Sequence, residues 1–429
     1  MKQLSRRFIG LAAIITLLAA TATAQSLEGR WDANVTIKNV VIPFRLDIAG
    51  KGEKLTGTLF NGEQTQTTTS AKLENGSVTL NFEHYLTKIV ATVKDGKLEG
   101  KVVGRFDRER YISDFPFQAT RYIASTASAA KAPSINGLWE IPYESPKGEK
   151  AWRFIVKQNG AEVSASILRV DGDTGALTGT YRDGKFVVSH FDASRPLVLE
   201  ITPNPDGTLT LRQEGAYAAR ANLTAYRPEV ARAKGLPEPA NFATHTTVRD
   251  PNEKFTFAFN DLDGKPVSSE DPRFKGKVIV AIVTGTWCPN CHDEAQYLVK
   301  LDRKYRDKGL AIVALTFEEP EQHGGLERAK AFVKQYGVKY TYLLAGAPAE
   351  MWEKVPQLNH LDTWPATLFV GRDGRIKAVH SGFASPASAE FHTQLDKDFT
   401  TRIEQLLAEK APTQEATAGP VASSAAKLK

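Results

Sequence analysis

The stretch Thr286-Trp287-Cys288-Pro289-Asn290-Cys291 holds both cysteines of the 429-residue chain and separates them by two residues. At that spacing two thiols can close a small ring whose redox state changes easily. An apolar run rich in β-branched residues, 278–283, precedes the pair, and an amphipathic run that includes Leu298 and Leu301 follows it. The pair is therefore expected between a strand and a helix.

This placement assigns different roles to the two thiols. The amide N–H groups and the dipole of a helix N-terminus favour an anion, so Cys288 should lose its proton more readily than a free thiol. Cys288 is accordingly the expected attacking thiol, and Cys291 is the expected resolving thiol.

Two other interpretations of Cys288 and Cys291 compete with exchange chemistry. A structural zinc site needs four ligands, and the chain has no second cysteine pair, so no metal-binding residues are predicted. A buried structural disulfide is the second alternative. Pro289 inside the ring and the position between a strand and a helix favour exchange over a structural bond.

Further motifs of the C-terminal part occur in an order that is specific to one superfamily. They are Asp261-Leu262-Asp263-Gly264-Lys265, Gly276-Lys277-Val278, Trp287-Cys288-Pro289-Asn290-Cys291, Glu294, Pro365-Ala366-Thr367-Leu368-Phe369 and Asp373-Gly374-Arg375-Ile376. Together they resemble the thioredoxin superfamily, and within it the periplasmic TlpA and ResA-like thiol:disulfide oxidoreductases. The resemblance covers about residues 251–408 and implies an α/β thioredoxin-like domain with a central mixed sheet. Trp364 and Val283-Thr284-Gly285 depart from the family pattern at the expected substrate-docking surface, so substrate choice is not carried over.

The resemblance also implies roles for residues around the cysteines. Glu294 would be buried near the pair and serve Cys291 as a base, with a solvated glutamate of the first helical turn as the alternative. Pro365 would be a cis-proline that exposes backbone beside the cysteines, so that an extended substrate can pair with it. Trp287, Pro289 and Trp364 would line this substrate-binding surface.

Two other polar features, His292 and an acidic loop, are expected to be exposed to solvent. His292 is expected on the exposed side of the helix, although it could bind a metal. The acidic loop that holds Glu318, Glu319 and Glu321 beside His323 is expected to be solvated, with a smaller chance of contacting substrate.

The N-terminus has the pattern of an export signal. Lys2, Arg6 and Arg7 form a basic region, an apolar run covers 8–20, and cleavage is expected after Ala24, which places the mature protein in the periplasm. Sec and twin-arginine export both stay open, and an uncleaved signal that tethers the protein to a membrane is the alternative. Export also agrees with the low cysteine count, because stray thiols form wrong disulfides in an oxidising compartment.

Residues 26–227 contain an internal repeat with an offset of 108 residues. The offset superimposes Gly29 and Trp31 on Gly137 and Trp139, and each copy alternates short apolar and polar runs between tight-turn pairs such as Asn75-Gly76. Each copy is therefore expected to be an antiparallel all-β domain, either a barrel or a sandwich, with seven or eight strands. The Gly-x-Trp near each start and an arginine near each end weakly resemble lipocalin-like barrels, which predicts Arg121 against Trp31 and Arg227 against Trp139.

Composition and linkers complete the expected organisation. The domains are a signal peptide (1–24), β-rich copies (26–123 and 134–228), a linker (229–250), the thioredoxin-like domain (251–408) and a disordered tail (409–429). They are expected in series, with the β domains as docking surfaces or spacers rather than ligand cups. The formal charge of +6 falls to +3 without the signal, which is too mild to indicate nucleic acid as a partner.

These features predict an exported thiol:disulfide oxidoreductase that needs no bound cofactor. It would reduce disulfides in partner proteins and receive its electrons from a membrane-bound reductase. A disulfide-forming oxidase would use the same residues. A Cu(I) carrier and an adaptor whose β domains bind the partner are further alternatives, although the shortage of methionine disfavours copper.

Overall fold

The computed structural model describes residues 26–106, 112–123, 132–215 and 220–410. The expected signal peptide, most of the segment between the two β copies and the expected tail from residue 411 lie outside the described residues. Among the described residues, no helix combines the length and the apolar character that a membrane span requires.

The first copy forms a nine-stranded antiparallel sheet. Its strands are β1 (Gly29–Ile37), β2 (Val40–Ala49), β3 (Thr56–Asn61), β4 (Gln64–Thr67), β5 (Ser70–Glu74), β6 (Ser77–Phe82), β7 (Thr87–Lys94), β8 (Lys97–Gly104) and β9 (Ser113–Arg121). Strands that are neighbours in sequence pair with each other, except β4 and β5, which do not pair and form the two edges of the sheet. The last strand, β9, pairs with β1. Both residues of the Asn75-Gly76 turn have positive φ, as two-residue hairpin turns require.

The second copy repeats this meander and closes it. Its strands are β10 (Gly137–Pro142), β11 (Ala151–Asn159), β12 (Glu162–Arg169), β13 (Gly172–Asp173), β14 (Leu177–Arg182), β15 (Lys185–His190), β16 (Leu197–Pro203), β17 (Leu209–Gly215) and β18 (Arg220–Ala225). Two backbone hydrogen bonds between Glu140 and Tyr226 join its first strand to the chain beyond its last strand. The short β13 pairs with β12, and its Gly172 also forms an isolated bridge with Phe383.

The expected antiparallel β architecture of both copies is confirmed, with the first sheet a half-barrel and the second a nearly closed barrel. The expected strand count is wrong. Each copy has nine strands instead of seven or eight, because short strands such as β4 and β13 carry too few residues to show an alternating pattern. The predicted contacts between arginine and tryptophan are confirmed as well. The Arg121 and Arg227 guanidinium carbons lie 3.9 and 3.8 Å from the ring centres of Trp31 and Trp139.

The C-terminal part is a seven-stranded mixed sheet with helices on its faces. A short helix α1 (Pro228–Ala233) and the strand β19 (Thr247–Val248) precede it. Its elements are β20 (Ala258–Asp261), β21 (Pro266–Ser268), β22 (Val278–Thr284), α2 (Pro289–Tyr305), β23 (Leu310–Phe317), α3 (Glu327–Tyr336), β24 (Thr341–Gly346), α4 (Met351–Lys354), β25 (Leu358–Asn359), β26 (Ala366–Val370), β27 (Ile376–Ser381) and α5 (Glu390–Ala408). The sheet order is β21-β20-β24-β23-β22-β26-β27, with β22, β23 and β24 parallel.

The central strand β22 places the cysteine motif at the middle of this sheet. All seven of its residues are buried, since one face packs on α2 and α5 and the other face packs under α4. Helix α4 has only four residues. It ends at Lys354, because the residue before Pro356 is pushed out of the helical region.

The expected arrangement of domains in series is wrong. Ile155 of β11 and Leu168 of β12 belong to the same buried cluster as α2 and α5 of the thioredoxin-like part. Phe191, which follows β15, belongs to the core of the first sheet. The linker folds back, since the Ala240 carbonyl accepts a hydrogen bond from Arg153 at 3.0 Å. The two β sheets therefore pack against the thioredoxin-like part and against each other.

Candidate active site

The cysteine motif begins where β22 ends and α2 begins. Cys288 is the N-cap residue of α2, and Pro289 occupies the first helical position, where its missing N–H costs no hydrogen bond. The amide of Cys291 donates to the Cys288 sulfur at 3.4 Å. The sulfur of Cys288, the expected attacking thiol, therefore lies where a backbone N–H group and the helix dipole favour an anion.

Both cysteines are free thiols and both are buried. Cys288 is 4% exposed and Cys291 is 2% exposed. The Cys288 thiol donates to the Trp364 carbonyl at 3.5 Å. Burial raises the pKa of Cys291 well above its ordinary value, and the adjacent Cys288 thiol adds to the shift. Cys291 therefore holds its proton more firmly than a free thiol does, which suits a thiol that acts second.

Residues expected to bind substrate gather around Cys288. The Trp364–Pro365 peptide bond is cis. The Trp287 and Trp364 rings meet edge to face with their centres 5.0 Å apart, and Trp287 Nε1 donates to the Phe317 carbonyl at 2.9 Å. The Pro365 carbonyl accepts from the Gly382 amide at 2.7 Å. A Cβ placed on Gly285 would lie 2.4 Å from Trp287 Nε1, so the Trp287 ring fills the space that a side chain at position 285 would need.

Glu294 lies one helical turn beyond Cys291 and is 1% exposed. Burial raises its pKa to about 8, and the only opposing contact is a hydrogen bond from Thr367 Oγ1. The alternative of a solvated glutamate is therefore wrong. Among the described residues, neither cysteine sulfur is hydrogen bonded to Glu294, so any proton transfer to it passes through an intervening molecule or a shift of side chains.

A buried ion-pair network under the motif escaped the sequence analysis. The Glu318 carboxylate accepts from the Thr286 amide at 2.9 Å and from Arg328 at 2.8 Å. Burial opposes ionisation, but Arg328 outweighs it and holds the pKa of Glu318 below its ordinary value. Glu319 also pairs with Arg328 at 2.8 Å. The expectation of a solvated acidic loop is wrong for Glu318 and Glu319, whereas Glu321 is exposed. No local pattern in the sequence pairs α3 with this loop.

His292 is buried rather than exposed. It is 1% exposed, its Nε2 lies 2.7 Å from the Thr286 carbonyl, and its ring stacks on Tyr85 with the centres 4.0 Å apart. Burial lowers its pKa well below the ordinary value. Tyr85 belongs to the first β sheet, so that sheet covers the face of α2 on which His292 lies.

The second β sheet contacts the motif itself. Asn290, between the cysteines, donates from Nδ2 to the Asp171 carbonyl at 3.1 Å and accepts at Oδ1 from Arg195 at 3.2 Å. Arg195 also pairs with Asp293 at 3.1 Å. Sequence reasoning placed none of these contacts, because they join segments about 100 residues apart with no shared pattern.

Comparisons with known proteins agree with this geometry. The Redoxin family model matches residues 247–395. Thiol-disulfide oxidoreductase ResA of a Bacillus cereus strain is 30% identical over 135 residues, which are 32% of this chain and 71% of that protein. The chain belongs to the ResA-like thiol-disulfide oxidoreductases of the thioredoxin superfamily.

Other ResA-like proteins match the same region at lower identity. ResA of Halalkalibacterium halodurans is 26% identical over 161 residues, 36% of this chain and 82% of that protein. A solved thiol:disulfide interchange protein of the thioredoxin family from Chlorobium tepidum TLS is 22% identical and covers 38% of this chain and 99% of its own, with a TM-score of 0.30. The ResA-like part of this oxidoreductase is thus its C-terminal third, and the two β sheets lie outside the matched region.

Proposed function

We propose that Cys288 and Cys291 carry out thiol:disulfide exchange in the reducing direction on disulfides of partner proteins. The Cys288 thiolate attacks one sulfur of the partner's disulfide and forms a mixed disulfide, and Cys291 then attacks Cys288 and releases the reduced partner. The observation that carries the exchange chemistry is the asymmetry of the two thiols, and the reduction potential described below tests its direction. Cys288 caps α2 and receives the Cys291 amide, whereas burial raises the pKa of Cys291.

Glu294 is the proposed base for the second step. Its pKa of about 8 lies close to neutral pH, which is the range in which a carboxylate can exchange protons efficiently. Trp287, Pro289, Trp364 and Pro365 are the proposed substrate-contacting residues. No bound cofactor takes part in the reaction, since the electrons move between sulfur atoms.

The N-terminal pattern supports export to the periplasm with cleavage after Ala24. A membrane-bound reductase is the proposed electron donor, because a reductant in an oxidising compartment must be returned to its dithiol form. Residues 26–123, 134–228 and 251–408 are the proposed domain limits.

The reduction potential of the Cys288/Cys291 pair tests the direction of the reaction. The purified chain is equilibrated in thiol buffers of graded potential, and free thiols are counted. A value near or below about −250 mV supports the reductant. A value near about −120 mV, which is the range of a strong oxidant, would assign the same residues to disulfide formation.

A further inference from the structure

A segment of the second β domain, called the roof below, packs against the cysteine motif and the chain beyond β27. The segment from Arg169 to Asp173, which joins β12 to β13, reaches both sides of the motif. Its Asp171 carbonyl accepts from Asn290, and its Gly172 forms a bridge with Phe383. The Asp173 carboxylate accepts from the amide and hydroxyl of Ser385 at 2.7 and 3.0 Å. The segment thus spans the distance from α2 to the chain beyond β27.

Burial and close packing hold the roof segment in a fixed position. Asp173 is fully buried, and a Cβ placed on Gly382 would lie 2.2 Å from the Val170 carbonyl. The flanking Leu168 lies in the core that contains α2 and α5. Apolar packing of this kind holds two domains in a fixed arrangement. A disulfide must therefore approach Cys288 beside the roof, not through it.

A cavity of about 460 Å³ opens beside the roof at the motif. Trp287 and Pro289, the residues on either side of Cys288, line it, together with Thr286 and Asn290. Tyr85 of the first β sheet forms part of the opposite wall. The volume is in the range of small-ligand sites. The cavity therefore gives access to the N-terminus of the 17-residue helix α2.

The charged groups that line the cavity are mainly cationic. They are Arg105, Arg169, Arg195 and Arg328, against the two carboxylates of Asp173 and Glu319. Arg105, Arg195 and Arg328 each form ion pairs.

Arg169 differs from the other three arginines. No hydrogen bond or ion pair joins its side chain to another described residue, and its Nε is buried without a partner. Burial lowers its pKa from the ordinary value. The carboxylates of Asp171, Glu149 and Asp173 lie near enough to oppose this shift, but none of them accepts a hydrogen bond from Arg169. An anionic ligand would supply the acceptors that the protein lacks there.

We propose that this cavity binds the disulfide substrate and selects a disulfide with negative charge close to its sulfur atoms. The inference rests on the proposed exchange activity of Cys288 and Cys291. Arg169 would pair with the anionic group while the α2 N-terminus faces the sulfur that is attacked. The anionic group could belong to a low-molecular-weight disulfide or to an acidic segment of a protein.

The reaction at this site balances without a further reactant. The Cys288 thiolate forms a bond to one sulfur of the substrate, and the substrate's S–S bond breaks, so that the first thiolate leaves and takes a proton from water. Cys291 passes its proton to Glu294 and attacks the Cys288 sulfur, whose bond to the substrate breaks. The second thiolate leaves and takes up that proton, and a Cys288–Cys291 disulfide remains. Two electrons pass from the protein dithiol to the disulfide, which becomes two thiols.

The test uses three aliphatic disulfides of similar size that differ in charge. Dithiodipropionate is anionic, bis(2-hydroxyethyl) disulfide is neutral and cystamine is cationic. Each rate with the reduced full chain is divided by the rate of the same disulfide with 2-mercaptoethanol. At low salt we expect the normalised rate for dithiodipropionate to exceed that for cystamine about tenfold or more. We expect this ratio to fall as salt is added.

Arg169→Gln is the decisive variant, and Arg212→Gln is its matched control. Arg212 is an exposed arginine of β17 that pairs with Glu214, so its substitution changes the net charge equally at a distance from the cavity. We expect Arg169→Gln to lower the anionic-to-cationic ratio about tenfold and Arg212→Gln to leave it unchanged. If Arg169→Gln does not fold, the proposal is tested by the change of the anionic-to-cationic ratio with added salt in the unsubstituted chain.

The outcomes separate this inference from the proposed function. Exchange with all three disulfides at equal normalised rates would overturn the inference and leave the exchange activity standing. No exchange with any of them would overturn the proposed function. Oxidised glutathione and insulin then distinguish the two sources of the charge, since faster reduction of glutathione assigns it to a low-molecular-weight disulfide and faster reduction of insulin assigns it to a protein.

Discussion

Arg195 of the second β sheet donates to Oδ1 of Asn290, the residue that directly precedes Cys291, at 3.2 Å. The same guanidinium pairs with Asp192 at 2.7 Å and with Asp293 at 3.1 Å. A side chain about 95 residues away in the sequence therefore contacts the first turn of α2, which carries Cys291. The second β domain thus packs directly on the cysteine motif.

Replacing Arg195 by methionine should destabilise the whole assembly. The substitution leaves Asp192 and Asp293 as buried carboxylates without their shared cation, which typically costs about 3 to 5 kcal/mol. Urea unfolding followed by tryptophan fluorescence measures the loss. Arg212→Met, at an exposed position of the same sheet, serves as the control and should cost less than about 0.5 kcal/mol. Equal losses for the two variants would show that the Arg195 network does not hold the interface.

Glu294→Gln should stabilise the protein at neutral and alkaline pH. The pKa of Glu294 is raised to about 8 in the folded chain, so between pH 4.5 and 8 the folded state keeps a proton that the unfolded state has released. As far as Glu294 is concerned, the free energy of unfolding is therefore highest below pH 4.5 and falls as the pH rises through this interval. Glutamine does not titrate and keeps an acceptor for Thr367, so the gain should approach about 4 kcal/mol at pH 8.

The same substitution should slow the release of the partner. With Glu294 absent as a base, the mixed disulfide on Cys288 should persist at least about tenfold longer. Rapid acid quenching followed by mass spectrometry measures the amount of mixed disulfide over time. A variant with increased stability and an unchanged lifetime of the mixed disulfide would contradict the catalytic role and leave only a buried carboxylate.

Gly382→Ala should loosen the roof beside the cysteine motif. Gly382 has a φ of +68°, and an added Cβ would lie 2.2 Å from the Val170 carbonyl, so the segment that joins β12 to β13 must move. Cys288 is 4% exposed, and we expect its alkylation by iodoacetamide to accelerate about tenfold when the segment moves. Gly264→Ala is the control, since its φ is also positive but nothing lies within 4 Å of its added Cβ. Equal alkylation rates in the two variants would mean that the segment does not limit access to Cys288.

Arg227→Met should weaken the second barrel without a change in redox chemistry. The contact with Trp139 at 3.8 Å contributes about 0.5 to 2 kcal/mol, and Arg227 also donates to the Leu138 carbonyl at 3.2 Å. Thermal unfolding of the full chain should therefore begin at a lower temperature, while the reduction potential of Cys288/Cys291 stays constant. A shifted potential with unchanged unfolding would assign Arg227 a role at the active site instead.

Several local features could be predicted from the sequence because they depend on short-range rules. The β22–α2 junction follows from an apolar run, a proline at the first helical position and the cysteine spacing. The Arg121–Trp31 and Arg227–Trp139 contacts were expected from the resemblance to lipocalin-like barrels. Arg121 lies on β9 beside β1, and Arg227 lies two residues beyond β18. The burial of Glu294 was expected from the family pattern rather than from composition.

One sequence feature did indicate that the domains pack together, and its meaning becomes clear in the structure. The segment Trp152-Arg153-Phe154-Ile155-Val156 of β11 is apolar at nearly every position, which is typical of a strand buried on both faces. Its inner face fills the barrel, and Ile155 on the outer face packs against the thioredoxin-like part.

The sequence by itself determined the chemistry of the protein. Local geometry and a family pattern are enough to infer exchange between sulfur atoms. Two cysteines spaced by two residues lie at a helix start, and a buried glutamate follows one turn later. The tertiary structure decided what surrounds that chemistry. Asn290 contacts Asp171 and Arg195 because the second β sheet packs on the thioredoxin-like part. Contacts between segments far apart in the chain depend on surface shape and charge that no local pattern records.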